Sequence, residues 1–156
     1  MSTDHVLKLY SKTIQSSFLH YGFWDDPENI ELSSLSLQDI KNAQYRYIDH
    51  LASFIPKKTK TILDVGCGIG GSSRILARDY GFDVIGITIS NQQVKRAKEL
   101  TPNFSNCRFQ VMDALDLKIE DASFDAVWSV EAGPHMPDKQ LYADELLRVL
   151  KPGGVL

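Results

Sequence analysis

Asp64 closes the apolar run "TILDV", and four glycines follow it within six residues, at 66, 68, 70 and 71. Glycine permits tight turns and lets a ligand touch the main chain, and a helix start beyond it offers free N–H groups to an anion. Gly66, Gly68 and Gly71 fit the G-x-G-x-x-G spacing of a dinucleotide loop. Two features turn away from a dinucleotide. A carboxylate placed ahead of the first glycine is unwelcome beside a pyrophosphate and suits a ligand that carries a cation. The second apolar run ends in "GITIS", without the acid that a dinucleotide ribose wants there. The other reading of Asp64 is a carboxylate that caps loop N–H groups.

S-adenosylmethionine answers the first description, with an α-ammonium and a sulfonium against a single carboxylate. Two further groups of residues could do chemistry. His135 and Glu131 stand in "VEAGPHMPDK", just past the run "FDAVWSV". Histidine is a general base near neutral pH, and Glu131 could attract a sulfonium or fix the loop. His20, Tyr21, Phe23 and Trp24 form an aromatic cluster whose faces suit sulfonium and adenine, or else a hydrophobic hinge.

These groups need elements to carry them. The runs "TILDV", "DVIGITI", "CRFQVM" and "FDAVWSV" read as strands, and "GGSSRILARDY", "SNQQVKRAKEL" and "DKQLYADELLRVL" as the helices between them. Strands apolar on both faces and separated by helices imply an α/β fold with a covered parallel sheet. Upstream, apolar spacing predicts one helix over 4–19 and a second from Ser33, Ser34 or Ser36 to a stop at Pro56. In "LKPGGVL", Gly153 and Gly154 read as a turn and Val155 as the start of a fifth strand, in which the core is expected to be truncated.

The composition narrows the function classes. Of 156 residues, 43% are hydrophobic and 24% charged, as in a soluble globular domain. With 17 basic and 20 acidic residues the net charge is −3, against a nucleic-acid surface. Neither a membrane-spanning run nor a secretory segment is recognisable, which predicts a cytoplasmic protein. Cys67 and Cys107 stand in unrelated contexts and predict neither a disulfide nor a metal site.

Five motifs in order, "ILDVGCGIGGSS", "GITISNQQVKRA", "FQVMDAL", "SFDAVWSVEAGPHMPDK" and "ELLRVLKPGGVL", resemble those of class I S-adenosylmethionine-dependent methyltransferases. The resemblance is strongest to the tocopherol C-methyltransferase-like and small-molecule methyltransferase group. It implies a Rossmann-like sheet in the order 3-2-1-4-5 over residues 57–156, with further C-terminal strands missing, and a helical cap over 1–56. It assigns Asp64, Gly66 and Gly68 to the methionine end of the cofactor. Thr88, Ile89 and Gln93 fall where relatives bind the ribose hydroxyls, although Ser90 to Gln93 also reads as the capping box S-x-x-Q. Asp113 and Ala114 fall at the adenine, Ser129 and Val130 near the sulfonium, and Trp128 in the core. The segment "HYGFWDD", with Tyr21, resembles the part that closes over the cofactor. The loop departs from "ESGEHMPDK" of tocopherol enzymes at Ala132 and Pro134, and Pro134 removes an acid and a backbone donor from the loop, which speaks against a chromanol-type substrate.

The implied activity is in-line transfer of a methyl group to a small phenolic, amine or lipid-like acceptor, with His135 orienting or deprotonating it. Much of such catalysis lies in holding the reacting atoms at about 3–3.5 Å. The alternatives are a cofactor-binding module without turnover and, less consistent with Asp64, an NAD-linked enzyme.

Overall fold

The computed structural model describes residues 20–29 and 34–156. The helix expected over 4–19 lies outside the described residues.

Of the three serines that could open the next helix, only Ser36 is followed at the third position by an acid. The Ser36 hydroxyl accepts from the Asp39 N–H at 3.2 Å, and the Asp39 carboxylate accepts from the Ser36 N–H at 2.9 Å. This reciprocal cap starts α1, Leu37–Ala52. The helix stops four residues before Pro56, and the Ser53 hydroxyl just beyond it donates to the His50 carbonyl at 2.6 Å. Phe54, inside the span predicted for this helix, lies beyond its end and is 70% exposed.

Five strands follow: β1 (Thr61–Val65), β2 (Asp83–Thr88), β3 (Cys107–Val111), β4 (Phe124–Trp128) and β5 (Leu150–Val155). They form one parallel sheet in the order β3-β2-β1-β4-β5, as expected. Between them lie α2 (Gly71–Asp79), α3 (Asn91–Glu99) and α4 (Lys139–Val149). Side chains from α1, α2 and α3 pack with Ile62, Val84, Phe109, Ala126 and Trp128 on one face of the sheet. Tyr142, Leu146 and Val149 of α4 pack with Leu63, Val65, Ile87 and Val127 on the other. Alternate residues of each strand thus serve opposite layers. Among the described residues no helix is long and apolar enough to cross a membrane.

The fifth strand corrects the expected turn at Gly153 and Gly154. Extended backbone begins at Leu150, directly after α4. Lys151 precedes Pro152 and is thereby biased away from the helical region. Phe124 pairs with Leu150 but Ala126 pairs with Val155, so "KPGG" forms a bulge inside the strand.

One carboxylate ties the strand starts together. Asp125 Oδ2 accepts from the Lys60 and Thr61 N–H groups at 2.9 Å each and from the Thr61 hydroxyl at 3.0 Å, while Oδ1 accepts from Lys151 Nζ at 2.8 Å. The Lys151 ammonium first, then the Thr61 and Lys60 N–H groups, hold its pKa well below the carboxylate norm. Asp125→Ala is expected to lower stability at pH 7 by about 1–2 kcal/mol, discounted for partial exposure. A depressed carboxylate stabilises above its unfolded pKa, so the difference should begin to shrink as urea unfolding is followed below about pH 4 and go on shrinking towards the much lower folded pKa.

Candidate cofactor and acceptor site

The chain leaves β1 in a turn that only glycine accommodates at its first position. Gly66 has φ +78°, and a Cβ there would stand 2.6 Å from the Ala132 Cβ in the loop after β4. Its N–H and that of Cys67 both donate to the Ile87 carbonyl, at 2.9 and 3.0 Å, so the turn folds over the end of β2. Gly66 itself is exposed, Gly68 buried. Gly70, also at positive φ, caps α2 without a side-chain hydrogen bond, its missing Cβ leaving room for the Phe109 ring. The bare main chain expected from the spacing is therefore present at the tip of β1.

Asp64 lies one residue below that tip, beside Gly86 of β2 and Trp128 of β4, and is 3% exposed. The Ser73 hydroxyl donates to its Oδ2 at 2.5 Å. Burial pushes its pKa up to about 7, against the opposing pull of the Ser73 hydroxyl and N–H. The partner is Ser73 in the first turn of α2, through its hydroxyl and its N–H, rather than the N–H groups of the loop. The balance leaves the acid on the edge of ionisation at neutral pH. Tyr142 and Cys67 lie within electrostatic reach of the same carboxylate.

At the end of β2 the hydrogen bonding differs from the expected reciprocal cap. Ser90 accepts from the Gln93 N–H at 3.2 Å, one half of the box. The Gln93 side chain does not return to Ser90. Its Oε1 accepts from the Thr88 hydroxyl at 2.7 Å, and Thr88 Oγ1 takes the Ser90 N–H at 3.3 Å. Thr88, Ser90 and Gln93 are all buried, whereas Ile89 stands 61% exposed beside them. An apolar side chain thus projects from a neutral polar cluster at the strand tip. Asp113 follows β3, adjacent to this cluster through the Met112 N–H to Thr88 carbonyl bond of 3.1 Å. Its Oδ1 accepts from the Leu115 N–H at 2.9 Å in a local turn, and the Ala114 methyl is buried in the core.

Beyond β4, Ser129 and Val130 are half-buried, and Trp128 is a core residue as expected. Ser129 Oγ and the Tyr142 hydroxyl are 2.5 Å apart. Both Ser129 and Val130 rim an apolar cavity of about 330 Å³ that runs along α1 and β5. Glu131 takes φ +60°, a left-handed conformation rare for a residue with a side chain. Gly133–His135 then form a single 3-10 turn, with Glu131 and His135 both exposed.

The aromatic segment lies against α1. The Phe23 N–H donates to the Ala43 carbonyl at 2.8 Å, and Gln44 Nε2 donates to the His20 carbonyl at 2.7 Å. Burial holds the His20 pKa down, against the Tyr21 carbonyl and the Glu131 charge. That charge also helps raise Tyr47. The segment and the β4 loop are therefore neighbours. Tyr21 is 74% exposed.

The parallel register thus gathers Asp64, Thr88 and Ser129 at the same edge of the sheet, Asp64 level with Gly86 and Trp128, Thr88 two residues beyond Gly86 and Ser129 one beyond Trp128, and the bare Gly66 lets the β1 loop meet the β4 loop at Ala132. Sequence reasoning missed Ser73 and Tyr142 as partners, although Ser73 sits within the quoted "GGSS" motif.

A methyltransferase-domain family matches residues 63–156. The 2-methyl-6-phytyl-1,4-hydroquinone methyltransferase of Synechocystis is 51% identical across 99% of this chain and 50% of its own length. The chloroplastic tocopherol O-methyltransferase of Arabidopsis thaliana is 46% identical, across 96% and 47%. Among solved structures, a sarcosine dimethylglycine methyltransferase of Galdieria sulphuraria, so described provisionally, superposes with TM-score 0.82 at 28% identity, covering 96% of this chain and 57% of that one. The [4+2]-cyclase SpnF superposes with TM-score 0.81, also at 28% identity, covering 99% and 59%. The chain spans about half the length of the curated relatives it matches. The ordered motifs, the 3-2-1-4-5 sheet and these matches agree, and the chain belongs to the methyltransferase-domain family.

Proposed function

We propose that the chain binds S-adenosylmethionine and serves methyl transfer to a small organic acceptor, with residues 57–156 as the cofactor core and 1–56 as its cap. The observation that carries this reading is the buried, near-neutral Asp64 beneath the bare backbone of Gly66. That pair fits the cofactor: room made by the missing Cβ, and an acid able to ionise beside an ammonium. When bound, the cofactor supplies a methyl group activated on a sulfonium.

The chain's own residues then do the positioning. Asp64, Gly66 and Gly68 hold the amino-acid end. Thr88 and Gln93 offer hydroxyl and amide groups to the ribose, and Ile89 an apolar surface to the adenine, with Asp113 and Ala114 at its edge. Ser129 and Val130 line the reacting end, and Tyr21 covers it. His135 orients the acceptor or takes its proton, and Glu131 adds negative charge near the sulfonium. The relatives named for hydroquinone and tocopherol support a phenolic acceptor among the classes considered. The reading extends to a cytoplasmic protein without a nucleic-acid partner, the latter supported by the net charge of −3.

The second reading, a cofactor-binding module without turnover, draws on the cyclase neighbour, since one fold hosts several chemistries. Calorimetric titration with S-adenosylmethionine and with NAD, followed by transfer of labelled methyl to phenolic acceptors, separates the readings. Binding with transfer supports the enzyme, and binding without transfer the module. Tighter binding of NAD overturns both. In an active chain, His135→Ala is expected to lower turnover by about 100-fold or more.

A further inference from the structure

Lys139 has no part in the site just described, yet its side chain reaches into the loop that carries His135. Its Nζ donates to the carbonyls of Gly133, Pro134 and Met136, at 2.8, 3.0 and 2.5 Å. An ammonium has three protons, and all three are used on one turn. The position is a poor one for α4 itself: Lys139 is its first residue, where a cation opposes the helix dipole. The loop, in contrast, needs an external hold. Its 3-10 turn has two backbone bonds of its own, from the His135 N–H to Ala132 and from the Met136 N–H to Gly133, each 3.1 Å. It also follows Glu131 at positive φ, a conformation that persists only where the surroundings enforce it.

Tyr142 lies on the same face of α4, three residues on. Its ring edge is 3.8 Å from where a Gly133 Cβ would stand, and its hydroxyl meets Ser129 at the loop entrance. Burial raises its pKa above the ordinary phenol value. The loop is therefore fastened at its entrance by Tyr142 and at its exit by Lys139.

We propose that Lys139 and Tyr142 are positioning residues. Through the loop they fix Glu131, Ala132 and His135 against the Gly66 turn and so pre-form the cofactor and acceptor site. This rests on the methyltransferase reading of that site. Preorganisation acts on affinity by removing an ordering cost from binding.

The test uses the whole chain, with Lys139→Met to remove the ammonium while keeping most of the stem, and Tyr142→Phe to remove only the hydroxyl. Amide hydrogen exchange at His135 and Met136 is expected to quicken tenfold or more in Lys139→Met, with β1 unchanged. S-adenosylmethionine should bind about tenfold more weakly, at nearly the same urea midpoint. Tyr142→Phe should weaken binding in the same direction by a smaller factor. Unchanged exchange at the two amides overturns the proposal, as does faster exchange with undiminished affinity, because the clasp is then structural only. If the native chain binds no S-adenosylmethionine, the reading of the site fails and this proposal with it. Normal binding by the native chain with no response in either variant sinks the proposal alone.

Discussion

Asp64→Asn is expected to weaken S-adenosylmethionine binding about 100-fold and, at pH 8, to make the protein harder to unfold. The two effects have one origin. Burial raises the Asp64 pKa from its ordinary 3.8 to about 7. Between those values the folded chain keeps a proton that the unfolded chain has lost. Stability therefore falls as pH rises from about 4 to 7 and levels off above, the reverse of a salt-bridged carboxylate. The full shift corresponds to at most about 4 kcal/mol. Asparagine has no proton to lose and keeps an oxygen for the Ser73 hydroxyl, so part of that cost disappears, on the order of 1–3 kcal/mol. Affinity moves the other way, since removing one partner of a buried charged hydrogen bond costs about 2–5 kcal/mol. In the native chain, ionisation of Asp64 on binding should release a proton and strengthen affinity from pH 6 to 8. The asparagine variant should show neither. Titrations in buffers of different ionisation enthalpy, with urea unfolding at pH 5 and 8, measure both. An asparagine variant of native affinity would show that Asp64 serves only α2.

Gly66→Ala is expected to cost about 2–5 kcal/mol in urea unfolding. Left-handed backbone costs an alanine about 1–2 kcal/mol, and forcing a methyl into packed space about 1–3 kcal/mol more. The obstacle is identifiable, the Ala132 Cβ at 2.6 Å. Ala132→Gly in the same chain should recover the steric part and leave the backbone part, so the two changes are not additive. If the double variant is as unstable as the sum of the singles, the contact between the loops is not what excludes a side chain from position 66.

Strand and helix identities were legible because each run shows its own period and the glycine and capping residues punctuate it. Ser90 and Asp138 cap α3 and α4 as their positions suggest. The strand order came with the family resemblance and is borne out. What escaped depends on partners distant in sequence. The S-x-x-Q pattern promised a reciprocal cap, but Thr88, five residues before Gln93, competes for the glutamine side chain. The bulge in β5 follows from how "KPGG" must match β4, which the segment alone does not state. Phe54 continued the apolar spacing of α1, but the helix ends at Ala52. The left-handed backbone of Glu131 has no local cue, because that conformation usually calls for glycine or asparagine. Lys139 stood within the quoted "HMPDK", yet only the fold shows that its amine turns back on the loop before it.

Thr88, Ser90 and Gln93 meet at the tip of β2 through hydrogen bonds among groups that never carry charge. A sugar bound there would find the same partners in dilute buffer as in strong brine. Mobile ions screen charges and leave neutral contacts alone. Any sensitivity of the complex to ionic strength would then trace to the exposed charge of Glu131 in the β4 loop, since burial shields the carboxyl group under the glycine turn from mobile ions.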